Sequence, residues 1–296
     1  VSAVRRPLDL RAFALMLMLC LAWGFQQVAI KAVAADAAPV MQLAIRFGGA
    51  ALFFGGWLLL REGRGMFADG TLPSGVALGL LFSLEFLFAG EALQFTTAAH
   101  TVVFLYCAPI FTALGLRFLP EERLSRLQWS GIAVAFAGLM IAFLGHGPRT
   151  GTLLGGDLLA LLGGMSWGMS NVVLRRGRVG RAATAKTVFY QVATAAPVLA
   201  VFAAATGQTS VGLSPLTLMS LLFQTLGIAI LSYLLWFWLL RHYLTSRLML
   251  LSLLTPLCGV LFGAVLLHDP IEAHFAVGSS LVLAGVLIVN ALAPKA

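Results

Sequence analysis

Charge is what this chain lacks most. Of 296 residues only 11 are acidic, 10% carry any charge and 60% are hydrophobic, where a soluble domain has roughly 25% charged residues. The length would permit two soluble domains, but hardly one polar stretch is long enough to cover even one. With a mean hydropathy of +0.97, the chain reads as an integral membrane protein. Cysteine is scarce as well. Cys20, Cys107 and Cys258 stand singly in apolar runs, with no CxxC and no zinc spacing, and say nothing of redox compartment. Neither a GxxxxGK[ST] loop nor an HExxH pair occurs, so nucleotide-driven pumping would need a second chain. No cofactor and no metal is expected.

What the chain has is long apolar runs. A hydrocarbon core of about 30 Å takes about 20 helical residues. Ten runs qualify, near 12–34, 39–60, 74–95, 100–118, 127–145, 154–175, 184–205, 215–240, 245–267 and 273–293. The connections are short. Arg5, Arg6 and Arg11 before the first run, with Ala32-Val33-Ala34 behind it, resemble a signal peptide, but the apolar part is too long for one and its pattern recurs later in the chain.

The formal charge of +8 would suggest nucleic acid in a soluble protein. Here it sorts by side. With the N-terminus inside, Arg5, Arg11, Arg61, Arg117, Arg123, the RRGRVGR run from Arg175 to Arg181, Lys186, Arg241 and Lys295 all fall on the cytoplasmic side, while only Lys31 and Arg149 lie near outer ends. This asymmetry predicts cytoplasmic N- and C-termini. The arginine run reads either as that topology signal or as a lipid-headgroup site. Trp57, Trp129, Trp236 and Trp238 sit near cytoplasmic helix ends, whereas Trp23 and Trp167 are mid-helix.

The chain also repeats. A shift of 144 residues lays Trp23-Gly24 on Trp167-Gly168 and Gln26-Gln27 on Ser170-Asn171, and a shift of 147 lays Pro109 on Pro256, Glu122 on Asp269, Gly131 on Gly278 and Gly138 on Gly285. Residues 1–148 and 149–296 are therefore read as two five-helix repeats. Five is odd, so the second copy runs inverted through the membrane, an architecture associated with secondary transporters. The expected fold is an all-α membrane protein of ten transmembrane helices in two inverted five-helix repeats.

PVMQLAIRFGGAALF (39–53), EALQFTTAAHTVVFLYCAPIFTAL (91–114) and PEERLSRLQWSGIAVAFAGLMI (120–141) resemble the EamA repeat of the drug/metabolite transporter superfamily. So, in the second copy, do LLRHYLTSRLMLLSLLTPLCGVLFG (239–263) and HDPIEAHFAVGSSLVLAGVLI (268–288). The pattern is similar to that of the YddG-like exporters of aromatic amino acids and amphipathic compounds. The resemblance implies ten helices, a central cavity and export across a bacterial inner membrane. It departs from the family at Asp269, where glutamate is usual.

Polar residues inside apolar helices mark the candidate site. Trp23, Gln26 and Gln27 share one helical face, as do Trp167, Ser170 and Asn171. Indole and amide together suit an amphipathic aromatic solute, or else they join helices. Glu85 reads either as a contact for a substrate amine or coupling proton, or as a protonated acid bonded to a neighbouring helix. Arg46 and Glu91 are expected at similar depth as a structural ion pair. Pro109 and Pro256 occupy equivalent helix interiors and should kink them, either as gating hinges or to shape the cavity. Tyr106 and Tyr233 complete the expected lining. His100 opens the fourth helix, where it reads as a titrating group or an ordinary helix-end histidine. Gly75-xxx-Gly79, Gly164-xxx-Gly168 and Gly259-xxx-Gly263 are read as packing within one chain, so no oligomer is required.

The expected function is secondary transport by alternating access, releasing aromatic and other amino acids and small amphipathic metabolites. Nucleotide-sugars or phosphorylated metabolites are the alternative cargo, disfavoured because Arg46 alone supplies deep positive charge. A membrane-embedded enzyme is disfavoured because His100, His242, His268 and His274 lie at helix ends and His146 in a loop, without a shared constellation.

Overall fold

In the computed structural model, which describes residues 8–96, 98–143, 151–267 and 273–291, the apolar runs are helical. Arg5, Arg6, His146, Arg149, His268, Asp269, Pro270 and Lys295 lie outside the described residues. Helix is the natural outcome, since a chain in hydrocarbon has to satisfy its backbone groups internally. The elements are α1 (Leu10–Ala32), α2 (Pro39–Glu62), α3 (Leu72–Phe95), α4 (Ala98–Leu105), α5 (Ala108–Leu116), α6 (Arg126–Phe143) and α7 (Gly151–Arg176). They continue with α8 (Thr184–Ala205), α9 (Pro215–Leu222), a π-helical segment (Phe223–Ser232), α10 (Tyr233–His242), α11 (Thr245–Leu251), α12 (Leu254–Leu267) and α13 (Ala273–Ala291).

Seven helical rods are long and apolar enough to cross a membrane: Leu10–Ala32, Pro39–Glu62, Leu72–Ala92, Leu154–Arg176, Thr184–Ala205, Pro215–His242 and Thr245–Leu266. Three apolar helices are shorter, His100–Leu116, Arg126–Ala142 and Ala273–Val289. Among the described residues no strand forms beyond the isolated bridge between Ala37 and Val211.

Both prolines interrupt their helices just upstream. A proline has no N–H for the carbonyl four residues back, and its ring crowds that carbonyl. Before Pro109 the helix breaks at Tyr106-Cys107, where Cys107 N donates to Phe104 O at 3.2 Å. Before Pro256 it breaks at Ser252-Leu253, where Leu253 N donates to Leu250 O and Thr255 N to Ser252 O, at 3.1 and 2.9 Å. The π-helical stretch is a third irregularity, without a proline to announce it.

The chain divides into two compact units, one drawn from Val1–Gly24, Glu85–Val172 and Leu239–Ala296, the other from Phe25–Leu84 and Val173–Trp238. Each unit takes material from both sequence halves.

The first unit is built on the α6–α13 pair, the most extensive helix pairing among the described residues. A Cβ added to Gly138 would fall 2.6 Å from Gly278 O, and one on Gly131 would fall 3.0 Å from Gly285 O, so the backbones touch directly. The pairing is reciprocal. Gly131 aligns in sequence with Gly278 yet meets Gly285, and Gly138 aligns with Gly285 yet meets Gly278, as a two-fold operator would arrange. Glu122, 2% exposed, accepts hydrogen bonds from Thr245 N (3.2 Å), Ser246 N (3.1 Å) and Ser246 Oγ (2.9 Å). A carboxylate thus satisfies first-turn amides of α11, where no helical partner exists and the helix dipole favours negative charge. Asp9 caps α1 likewise: the Ala12 amide holds its carboxyl below the usual range, aided by Tyr243 against the opposing effect of burial.

The second unit is built on α2 and α8. A Cβ on Gly55 would meet Phe189 Cε2 at 3.0 Å. At one end of this unit Lys186, 2% exposed, reaches Asp69 Oδ2 at 2.7 Å and Glu62 Oε2 at 3.2 Å, and Thr71 bonds Tyr190 Oη at 2.9 Å. At the other end Ser214 and Thr217 donate to Asp36 Oδ2 at 2.8 and 2.9 Å, beside the Ala37–Val211 bridge.

Candidate functional site

Glycine positions set how closely helices of the first unit approach α7. A Cβ on Gly164 would stand 2.6 Å from Leu105 O, one on Gly168 2.9 Å from Ala108 O, and one on Gly163 3.3 Å from Glu85 O. The glycines of α7 therefore seat the broken α4–α5 helix and the start of the α3 segment at Glu85. Trp167 stands on the same part of α7, and its ring meets that of Tyr106 edge to face, 5.3 Å between centroids and 87° between planes. This geometry is favoured by the ring quadrupoles. Tyr106 is positioned by the break upstream of Pro109.

A second close approach brings in α1. A Cβ on Gly24 would fall 2.7 Å from Gly259 N and 2.8 Å from Cys258 Cβ, so α1 crosses α12 directly against its backbone. One turn earlier on α1, the Cys20 thiol donates to Leu251 O at 3.4 Å. Cys20, Glu85, Thr255 and Cys258 all lie within interaction range of the Tyr106 hydroxyl. Trp23, Glu85, Tyr106 and Trp167 are half-buried, and Thr255 is buried.

The other expected site residues are placed as follows. Ser170 and Asn171 are buried, and both turn back on their own helix, donating to Trp167 O at 2.7 and 2.9 Å. Gln26 is buried and Gln27 exposed, so these adjacent amides occupy different environments. Glu91 is half-buried and belongs to the first unit; Arg46 belongs to the second. Arg46 is 0% exposed, with Nη2 3.5 Å from Tyr233 Oη and its guanidinium carbon 4.5 Å from the Phe47 ring centroid. Tyr233 packs edge to face on Phe82 at 5.8 Å. His100 Nδ1 pairs with Asp157 Oδ1 at 2.9 Å, and Thr96 donates to the same oxygen at 2.7 Å. The histidine that opens the fourth helix is thereby tied to α7. Among the described residues no group of three or more His, Cys, Asp or Glu side chains could hold a metal ion.

Three features escaped the sequence reading. Thr255 was one. Another was the buried amide pair of the second unit, where Gln224 Nε2 donates to Gln42 Oε1 at 2.8 Å and Gln42 Nε2 donates to Ala37 O at 2.8 Å and Ile30 O at 3.2 Å. A glutamine inside each of two apolar runs was the available signal. The third is that residues 164–168 spell G-x-S-x-G. They lie inside α7, however, with Ser166 Oγ donating to Leu162 O at 2.9 Å. The strand-to-helix turn that exposes a hydrolase serine is missing there.

The sequence model of the EamA-like transporter family matches residues 10–144 and again residues 154–291. Among curated proteins, a "probable amino-acid metabolite efflux pump" of Salmonella typhimurium is 27% identical over 93% of this chain and 93% of that protein. Its namesake in Escherichia coli is 26% identical over the same shares. The transporter YoaV of Bacillus subtilis is 23% identical over 90% of this chain and 92% of its own. A solved crystal structure superposes with a TM-score of 0.80 at 19% identity, covering 96% of this chain and 99% of that one.

Proposed function

The chain belongs to the EamA-like transporter family, and from that premise we propose that it exports aromatic and other amino acids, with small amphipathic metabolites, across a bacterial inner membrane. It is a multi-pass membrane transporter of small metabolites. The finer reading has ten transmembrane helices in two inverted repeats, both termini cytoplasmic, and alternating access through exchange of two equivalent packings. Support for the repeats comes from the double family match, from the reciprocal glycine contacts of α6 and α13, and from the packing of α2 on its sequence counterpart α8.

The observation that carries the substrate reading is the half-buried Tyr106–Trp167 ring pair, with Glu85 within electrostatic range of the Tyr106 hydroxyl. Such a lining offers aromatic contact and a charge partner for an amine. Trp23 joins these as a candidate contact; Gln26, Gln27 and Tyr233 are kept as separate candidates within the second unit. Ser170 and Asn171 are retained as weaker candidates, because their hydrogen bonds to Trp167 O compete with any ligand. Arg46 and Glu91 are read as structural, and the breaks at Pro109 and Pro256 as hinges.

The test is uptake of labelled phenylalanine into liposomes holding the purified protein, with and without an imposed pH gradient. Saturable uptake is expected to fall by about tenfold or more in Trp167→Ala, from lost ring contact. A response to the gradient in wild type that disappears in Glu85→Gln identifies the coupling carboxyl. Movement of phosphorylated solutes with no amino acid uptake would sink the substrate reading and leave the transporter.

A further inference from the structure

Helical serines and threonines of this chain mostly bond their own backbone. Ser83, Ser166, Thr194 and Ser232 each donate to the carbonyl four residues back, at 2.7–2.9 Å. This is the usual resting place of a hydroxyl in an apolar helix. Thr255 does not follow it. Its hydroxyl is buried, the residue 4% exposed, and closes no hydrogen bond.

The reason is local. Thr255 stands one residue before Pro256, in the first turn after the Ser252-Leu253 break. The carbonyl four residues back, Leu251 O, receives the Cys20 thiol, and the one three back, Ser252 O, receives the Thr255 amide. The break thus holds the hydroxyl away from backbone acceptors. The Tyr106 hydroxyl and the Cys20 thiol approach it as weak partners, and neither reaches full hydrogen-bond geometry. A buried hydroxyl held short of full hydrogen-bond geometry is costly and persists where something else repays it.

The neighbours define what that is. The Tyr106 ring meets that of Trp167 edge to face, and the Glu85 carboxyl lies within electrostatic range of the Tyr106 hydroxyl. Two hydroxyl oxygens can accept, a carboxylate attracts positive charge, and an indole favours a cation over its ring. Resting on the exporter reading above, we propose that Thr255 is a substrate contact which, with Tyr106 and Glu85, receives the free ammonium group of the solute. The site then selects amines with an aromatic or apolar body over their N-acylated counterparts. Removing the acceptor oxygen weakens the charge-assisted bond, while acylation removes the charge and adds bulk.

The experiment compares labelled phenylalanine with labelled N-acetylphenylalanine in proteoliposomes of wild type, Thr255→Val and Thr255→Ser. Wild type is expected to prefer the free amine. Thr255→Val should raise KM for phenylalanine about tenfold with little change in maximal rate, and leave N-acetylphenylalanine unaffected, from loss of one hydrogen bond to a charged group. Thr255→Ser, which restores the hydroxyl, should recover most of the preference. Unchanged phenylalanine KM in the valine variant overturns the proposal while the exporter reading stands. So does an equal loss for both solutes that serine does not rescue, which marks a packing role. If wild type moves no amino acid, the exporter reading and this proposal fall together.

Discussion

In the second unit a buried glutamine, Gln42, donates to two carbonyls and accepts from Gln224, which also donates to Ser220 Oγ at 3.1 Å. In the first unit a buried threonine, Thr255, finds no such closure, and the rings near it stay half-buried. Both units place polar atoms in apolar surroundings, where satisfying them is worth more than adding apolar contact. The second uses Gln42 and Gln224 to join its own helices, although Gln224 Oε1 and, on α8, Gln191 Oε1 accept no hydrogen bond. In the first, Thr255 Oγ1 is the open position that the proposed amine contact would use. Polar residues inside a membrane helix therefore do not by themselves mark a substrate site; their state of satisfaction distinguishes a fastener from a contact.

The largest effect expected in testing this contrast comes from Gln224→Leu. It takes the donor from Gln42 Oε1 inside a 0% exposed pair, costing about 1–2 kcal/mol, the upper part of the range for hydrogen bonds between membrane helices. A lower apparent melting temperature in detergent, with phenylalanine KM unchanged, keeps Gln42 and Gln224 among the fasteners. A raised KM at unchanged stability would break the contrast and move the amide pair into the substrate path.

Much of the scaffold was legible in the sequence, because runs of apolar residues and their polar or Gly/Pro punctuation are strong signals. The expected 184–205 run is α8, Thr184–Ala205, and the expected 39–60 run lies within α2. Helix breaks fall just upstream of Pro109 and Pro256, and Gly164 and Gly168 pack inside the chain against α4 and α5. What was not legible is which way each helix faces. In an ordinary amphipathic helix the polar side identifies the solvent face. Here lipid and protein faces are both apolar, so rotation has to be inferred from rare polar residues. That inference put Gln26 and Gln27 together, whereas one is buried and the other exposed. It also assigned Lys186 to topology alone, although its side chain is 2% exposed and bonded to two carboxylates. The π-helical turn at Phe223–Ser232 has no residue-type signature, and the missing bond of Thr255 depends on where Cys20 falls from a distant helix.

A smaller effect is expected from titrating Asp69. Burial alone would raise its pKa, but hydrogen bonds from Lys186 and Thr71 outweigh this and hold it at about 2, below the ordinary 3.8. A depressed carboxylate pKa contributes stability that is complete above the unfolded value and lost as pH falls through the folded one. The contribution is thus full above about pH 4 and disappears towards about pH 2. Because the Asp69 side chain is 43% exposed, solvent screening keeps the pair to about 1 kcal/mol or less. Acid unfolding of Lys186→Met should show a shallower pH dependence across that window, with uptake at neutral pH preserved.

The smallest expected effect is at the opposite end of the same unit. Hydrogen bonds from Ser214 and Thr217 hold the Asp36 carboxyl below its usual range on an exposed connection. Water can replace both donors, so Asp36→Ala should leave the melting temperature where it was. The local consequence is different, because Ser214 Oγ also caps α9 through the Thr217 amide at 3.2 Å. Freed from Asp36, that cap should open more often, and hydrogen exchange should quicken in the peptide covering 210–218 while phenylalanine KM holds. Faster exchange with constant KM is what a fastener gives. A shift in KM from so remote and hydrated a position would mean that solute passes this end of the second unit, and that satisfaction of polar groups is a poorer guide to the transport path than burial.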